Sequence, residues 1–130
     1  MNWQVNLSGD FINDGDYYQF GLHPLDFRKL ASLVVEVANG RSPLRVNIGS
    51  GVMNILLAKE RVFMARKIQG GVELLADSEN LITLSNNLMN MANDNDPSHF
   101  GLVHVHLDLY FTHEEGVSDI VIERIDDLDD

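Results

Sequence analysis

The sequence predicts an α+β fold: a mostly antiparallel sheet with two helices on one face, built from a strand–strand–helix–strand–strand unit used twice. Three observations carry this expectation. Phe27, Leu30, Val34, Val37, Ala38 and Asn39 recur 54 residues later as Leu81, Leu84, Leu88, Met91, Ala92 and Asn93. The run GVMNILLAK beginning at Gly51 returns as GVSDIVIER beginning at Gly116. Apolar residues around the two helical stretches alternate with a period of two, as half-buried strands do. A repeat at this spacing implies one supersecondary unit used twice, here residues 1–60 and 61–125 of a single domain, followed by an acidic tail at 126–130.

The elements follow in order. Trp3, Val5 and Leu7 share one side of a strand over residues 2–7. Residues 8–16 are rich in Gly, Asn and Asp and read as a loop. A second strand occupies 17–22. Pro24 suits the first turn of a helix because its missing N–H costs nothing there. That helix runs to Asn39 and stops at Gly40, a residue able to take the left-handed conformation that ends helices. Phe27, Leu30, Val34 and Val37 form its apolar stripe, with Arg28, Lys29 and Glu36 outside it. Leu44, Val46 and Ile48 then alternate with polar residues, and residues 49–51 turn the chain into a strand over 52–59. After a break near Glu60, strands at 61–68 and 72–76 flank a turn at Gln69, Gly70 and Gly71. Asp77 or Ser78 starts the second helix as its cap, with Glu79 near the positive end of the helix dipole. The helix reaches about Asn93, residues 94–97 end it, and strands at 102–111 and 117–125 close the chain.

Composition narrows the function. At 130 residues and 45% hydrophobic, the chain can build an ordinary core. No apolar run reaches the roughly 20 residues that span a bilayer. Without a basic, apolar leader at residues 1–5, the expectation is a soluble cytoplasmic protein. There is no cysteine, which excludes disulfides and thiolate chemistry. Nine Lys and Arg face twenty Asp and Glu, a formal net charge of −11. Such a surface repels nucleic acid and anionic lipid and attracts basic proteins.

The candidate working surface is the strand around residues 104–110. Alternation turns Val103, Val105, Leu107 and Leu109 to the core and projects His104, His106, Asp108 and Tyr110 from the opposite face. Glu114 and Glu115 follow in an exposed turn beside Gly116. Two histidines two apart plus a carboxylate can in principle share a divalent metal, and His113 or His99 could add a ligand. No second ligand cluster accompanies them, so no metal and no cofactor is expected. Gly49–Gly51 and Gly70–Gly71 lack the Lys of a phosphate loop, and Ser50 stands in no nucleophile elbow. Trp3, Tyr17 and Tyr18 form an alternative surface cluster or pack into the core.

Residues 71–125 resemble a family of small bacterial immunity proteins found beside polymorphic toxins. The likeness rests on the stretch from Val72 to Ala76 running on through Leu84 and Leu88, and on the His-x-His-hydrophobic-Asp strand His104–Asp108. A loop and a closing strand follow. The family's loop often carries Pro, which residues 110–115 lack, and its closing segment carries a Ser, matched by Ser118. The resemblance implies a non-enzymatic protein that binds and neutralises a toxin, with a cationic toxin domain suited to the −11 charge. His104, His106, Asp108, Tyr110, Glu114 and Glu115 would then contact the partner. Two other readings stand beside it: a structural protein that self-associates, as a homodimer for instance, and a metal-dependent hydrolase using His104, His106 and Asp108.

Overall fold

The computed structural model describes residues 3–99, 103–107 and 117–126. In chain order its elements are β1 (Trp3–Leu7), β2 (Gly9–Asp14), β3 (Tyr17–Leu22), α1 (Pro24–Ala38), β4 (Leu44–Ile48), β5 (Gly51–Ala58), β6 (Phe63–Ile68), β7 (Gly71–Asp77), α2 (Ser78–Ala92), a 3-10 turn at Pro97–His99, β8 (His104–His106) and β9 (Asp119–Arg124). The α+β class is as expected, and most strand pairs are antiparallel. The strands, however, fall into two sheets, β1-β4-β5-β7-β6 and β2-β3-β9-β8. Strands pair in parallel at β1/β4, β5/β7 and β3/β9.

Twist explains the division. Adjacent strands rotate by roughly 20–25°, so nine in one sheet would turn through about half a circle and could not keep one face on two parallel-sided helices. Two sheets wrap the helix pair instead. α1 touches β3 and β5, α2 touches β7, and the helices pack on each other. A single cluster of buried apolar residues holds Phe27, Leu30 and Val34 of α1, Leu81, Leu84 and Leu88 of α2, and inward residues of both sheets. At the helix contact the side chains are small: Ser85 Oγ donates to the Ala31 carbonyl at 2.7 Å, across 54 residues. The outer sides of the helices carry Arg28, Lys29 and Ser32 or Thr83, Asn86 and Asn90, all exposed.

The same spacing governs the hairpins. Gly9 pairs with Leu22 and Asp14 with Tyr17 in β2/β3, while Phe63 pairs with Ala76 and Ile68 with Gly71 in β6/β7. These registers are identical at an offset of 54, as are the helix ends. The later echo is displaced. Tyr17 pairs with Asp119 and Gly71 with Val52, so β5 and β9 correspond at an offset of 67, whereas the run from Gly51 and the run from Gly116 lie 65 apart. A shift of two leaves every side chain on its own face, because strand side chains alternate with period two.

The composition of residues 8–16 predicts a loop where the structure has β2. Its Gly, Asn and Asp residues disfavour strands, but tertiary packing overrides them. Phe11 lies 4.9 Å from Phe20 between ring centroids, beside the buried Tyr18. Phe11 also covers Gly51, where an added Cβ would sit 2.2 Å from Phe11 Cγ. β2 thereby seals the seam between the sheets. Trp3, Tyr17 and Tyr18 do not cluster: Tyr18 is buried, Tyr17 lies on the outer face of the four-stranded sheet, and Trp3 sits in the other sheet under the Arg41 guanidinium, 3.8 Å from the ring centroid. Asp77 does occupy the N-cap position of α2, but its carboxylate makes no cap bond to the helix. It accepts from the Val62 N–H at 3.1 Å and from Asn80 Nδ2 at 2.5 Å.

The carboxyl end of α2 is held by a buried cation. Arg124 on β9 is only 2% exposed and donates through one terminal nitrogen to the carbonyls of Met91 at 2.5 Å and Asp94 at 2.8 Å. Its Nε lies 2.8 Å from Asp126. The cation thus meets the negative dipole end of the helix and adds a second donor to the Met91 carbonyl, which also accepts from the Asp94 N–H at 3.3 Å. Beyond it, His99 pairs with Asp94 at 2.7 Å and approaches Asp96 at 3.6 Å. Hydrogen bonding to Asp94, then the charges of Asp94 and Asp96, raise the His99 pKa above its usual value. Backbone bonding from Asp96, then His99, holds Asp94 below the ordinary carboxylate range.

Replacing Leu30 or Leu84 with Ala should each cost about 2–5 kcal/mol in denaturant unfolding, the range for fully buried leucines; a loss below about 1 kcal/mol at either would contradict the shared core. Arg124→Met strands the buried Asp126 carboxylate and should cost about 3–5 kcal/mol. His99 gives a pH signature. A raised folded-state pKa means its stabilisation is complete below the unfolded value of 6.5 and disappears as pH rises through the folded one. The stability gap between wild type and His99→Gln should therefore be largest below pH 6.5 and close above it; a gap independent of pH would show that the ion pair contributes nothing.

Candidate functional site

β8 behaves as its alternation requires. Val103, Val105 and Leu107 are buried, and His104 and His106 are exposed. Asp108, Tyr110, Glu114 and Glu115, expected at the same surface, lie outside the described residues, as do Leu109 and His113. Pairing carries the histidine face across the four-stranded sheet. One row runs Asp10, Gly21, Glu123 and His104, the next Ile12, Gln19, Val121 and His106, and a third Asp14, Tyr17 and Asp119.

The polar groups of this grid are tied to one another. His106 Nδ1 meets Asp119 Oδ2 at 2.6 Å. Tyr17 OH donates to Gln19 Oε1 at 3.1 Å, and Gln19 Nε2 donates to Glu123 Oε2. Burial, then the charges of Asp119 and Glu123, raise the Tyr17 pKa, so its hydroxyl stays protonated and remains a donor. The His104 and His106 rings meet edge to face with centroids 5.0 Å apart. A shallow cavity of about 200 Å³ opens between Tyr17, Gln19, His104, His106, Val121 and Glu123.

Among the described residues no group of three or more His, Cys, Asp or Glu could hold a metal ion. One nitrogen of His106 is engaged by Asp119 rather than turned toward His104. The described helices include none long and apolar enough to cross a membrane.

Charge is distributed unevenly. The cations stand at Arg28 and Lys29 on α1, Arg41 beyond it, Arg45 on β4, Lys59 and Arg61 between β5 and β6, Arg66 and Lys67 on β6, and Arg124. Arg124 alone belongs to the four-stranded sheet, and it points inward. The outer face of that sheet carries Asp10, Asp14, Asp119 and Glu123 with no Lys or Arg among the described residues. Alternation in the sequence turns the two histidines outward, but sequence reasoning places Tyr17 only in a different cluster, with Trp3 and Tyr18, and misses Asp119, Glu123, Gln19 and Asp10. Gln19 and Glu123 are 104 residues apart, and only the parallel β3/β9 pairing brings them together.

Comparison with known proteins adds one match. Residues 71–125 fit the model of the family described as immunity protein 32. The matched stretch opens at the first residue of β7 and closes just past β9, and it covers under half of the chain. No curated protein and no solved structure matches the chain. The second half of this chain therefore resembles a toxin-immunity family.

Proposed function

We propose that the chain is a non-enzymatic immunity protein that neutralises a cationic bacterial toxin domain by binding it on the outer face of the four-stranded sheet. The observation that carries this reading is the segregation of charge: that face holds four carboxylates and two imidazoles and no Lys or Arg among the described residues. A toxin that acts on nucleic acid must be basic to approach phosphate, and a complementary acidic face speeds its capture and disfavours other partners. The resemblance of residues 71–125 to immunity protein 32 supports the same reading from an independent direction. Asp108, Tyr110, Glu114 and Glu115 complete the proposed contact set with His104 and His106.

The test is co-expression with basic toxin domains encoded near this chain's gene, followed by kinetics with the purified pair that binds. Cells should be protected, and the association rate should fall as salt rises, because steering acts over about 8 Å at physiological ionic strength. Asp119→Asn and Glu123→Gln should each slow association and flatten that salt dependence, while His106→Ala should act mainly on dissociation. Full affinity in all three variants, with an association rate indifferent to salt, would place the working surface elsewhere.

A further inference from the structure

We infer that the outer face of the four-stranded sheet anchors its protein partner by taking one arginine or lysine side chain into the dent over Gly21, its stem against Ile12 and Ile125 and its cation between Asp10 and Glu123. This deepens the immunity reading and rests on it. Asp10, Gly21 and Glu123 are direct neighbours across β2, β3 and β9. Their two outer strands are two spacings apart, roughly 10 Å, a gap that one cationic head can bridge. The middle position has no side chain. Ile125 lies against that position and walls the dent on one side: an added Cβ at Gly21 would meet its Cδ1 at 3.0 Å and Cγ1 at 3.2 Å, and Asp10 Cβ at 3.7 Å. What remains is a cavity of about 250 Å³ lined by Asp10, Ile12, Gln19, Gly21, Glu123 and Ile125.

The lining suits an amphipathic cation. Ile12 is 53% exposed, and Leu25, on α1, is the other large apolar side chain so exposed among the described residues. Lys and Arg bury an alkyl stem on such a surface while their charge reaches a polar group. Glu123 is set in advance by the chain from Tyr17 through Gln19, so little ordering is left for the moment of binding. The Asp10 carboxylate makes no hydrogen bond or ion pair among the described residues. The nearest cation in sequence, Arg124, is committed inward to Asp126 and the end of α2. An apolar side chain in the dent would desolvate two carboxylates without pairing them, and an anionic one would be repelled. Arginine fits best, because its planar fork can address both carboxylates.

The dent can be tested without the toxin. The isotopically labelled full chain is titrated with n-butylguanidinium chloride, against sodium chloride at matched ionic strength, and followed by amide shifts. Saturable shifts at Gly21, Ile12 and Glu123 are expected with the guanidinium salt alone. The pair Asp10→Asn and Glu123→Gln should weaken them about tenfold, the scale of losing charge-assisted hydrogen bonds, in a protein whose remaining spectrum is unchanged. Shifts that fail to saturate, equal sodium chloride, or survive the double substitution would overturn the anchor, even where the toxin binds this face. Saturation at the dent in a chain that fails to protect cells would instead remove the immunity reading and leave the cation site standing.

Discussion

Everything in this fold follows from the contact between the two helices. Each helix has one apolar stripe, and the stripes lie side by side because Ala31 and Ser85 let the backbones approach. A pair of 15-residue helices is about 22 Å long and presents a broad apolar ridge. Covering that ridge needs strands on more than one side, and twist forbids a single sheet from supplying them. Each sheet therefore draws a hairpin from either half of the chain: β4/β5 joins β6/β7, and β8/β9 joins β2/β3. The parallel pairs β5/β7 and β3/β9 are the two places where the halves are sewn together.

That arrangement also creates the candidate surface. Once one face of β2-β3-β9-β8 is committed to the core, alternation sends the other half of its residues outward. Acidic and imidazole groups from three distant segments then share one plane. Arg124 shows how strictly the sign is kept. The single cation of this sheet is turned away from the outer face and spent on the carbonyls of α2. Carbonyls and a carboxylate rather than solvent surround it, at the cost of burying Asp126 beside it.

Much of this was legible in the sequence. The helices, their common stripe, the offset of 54 and the outward histidines all follow from local periodicity. The rest depended on pairing between segments that no local pattern connects. β2 has the composition of a loop, and only Phe11 packing on Phe20 and Gly51 makes it a strand. Arg124 sits in an alternating run where an outward charge would be the ordinary reading, and the negative end of α2 draws it inward. Asp119 as partner of His106, and Glu123 as partner of Gln19, needed the register of β9 against β8 and β3. The echo from Gly51 to Gly116 identified the right strands two residues out of register, an error that alternation conceals.

The region that resembles an immunity family has a structural consequence for the rest of the chain. Residues 71–125 contribute β7 to one sheet and β8 and β9 to the other, with α2 between them. Taken alone, that stretch would expose both long edges of β7 and one of β9, and it would leave the stripe of α2 without α1. Unpaired backbone edges and an uncovered apolar ridge are each costly in water. The residues before 71 supply what is missing: β5 and β6 on the two sides of β7, β3 beside β9, and α1 as the second helix. They also supply Asp10, Ile12, Tyr17 and Gln19 to the outer face. The candidate surface is therefore divided between the part that resembles the family and the part that does not. Anything bound on this face therefore meets side chains of both parts, Asp10, Ile12, Tyr17 and Gln19 from one and His104, His106, Asp119 and Glu123 from the other.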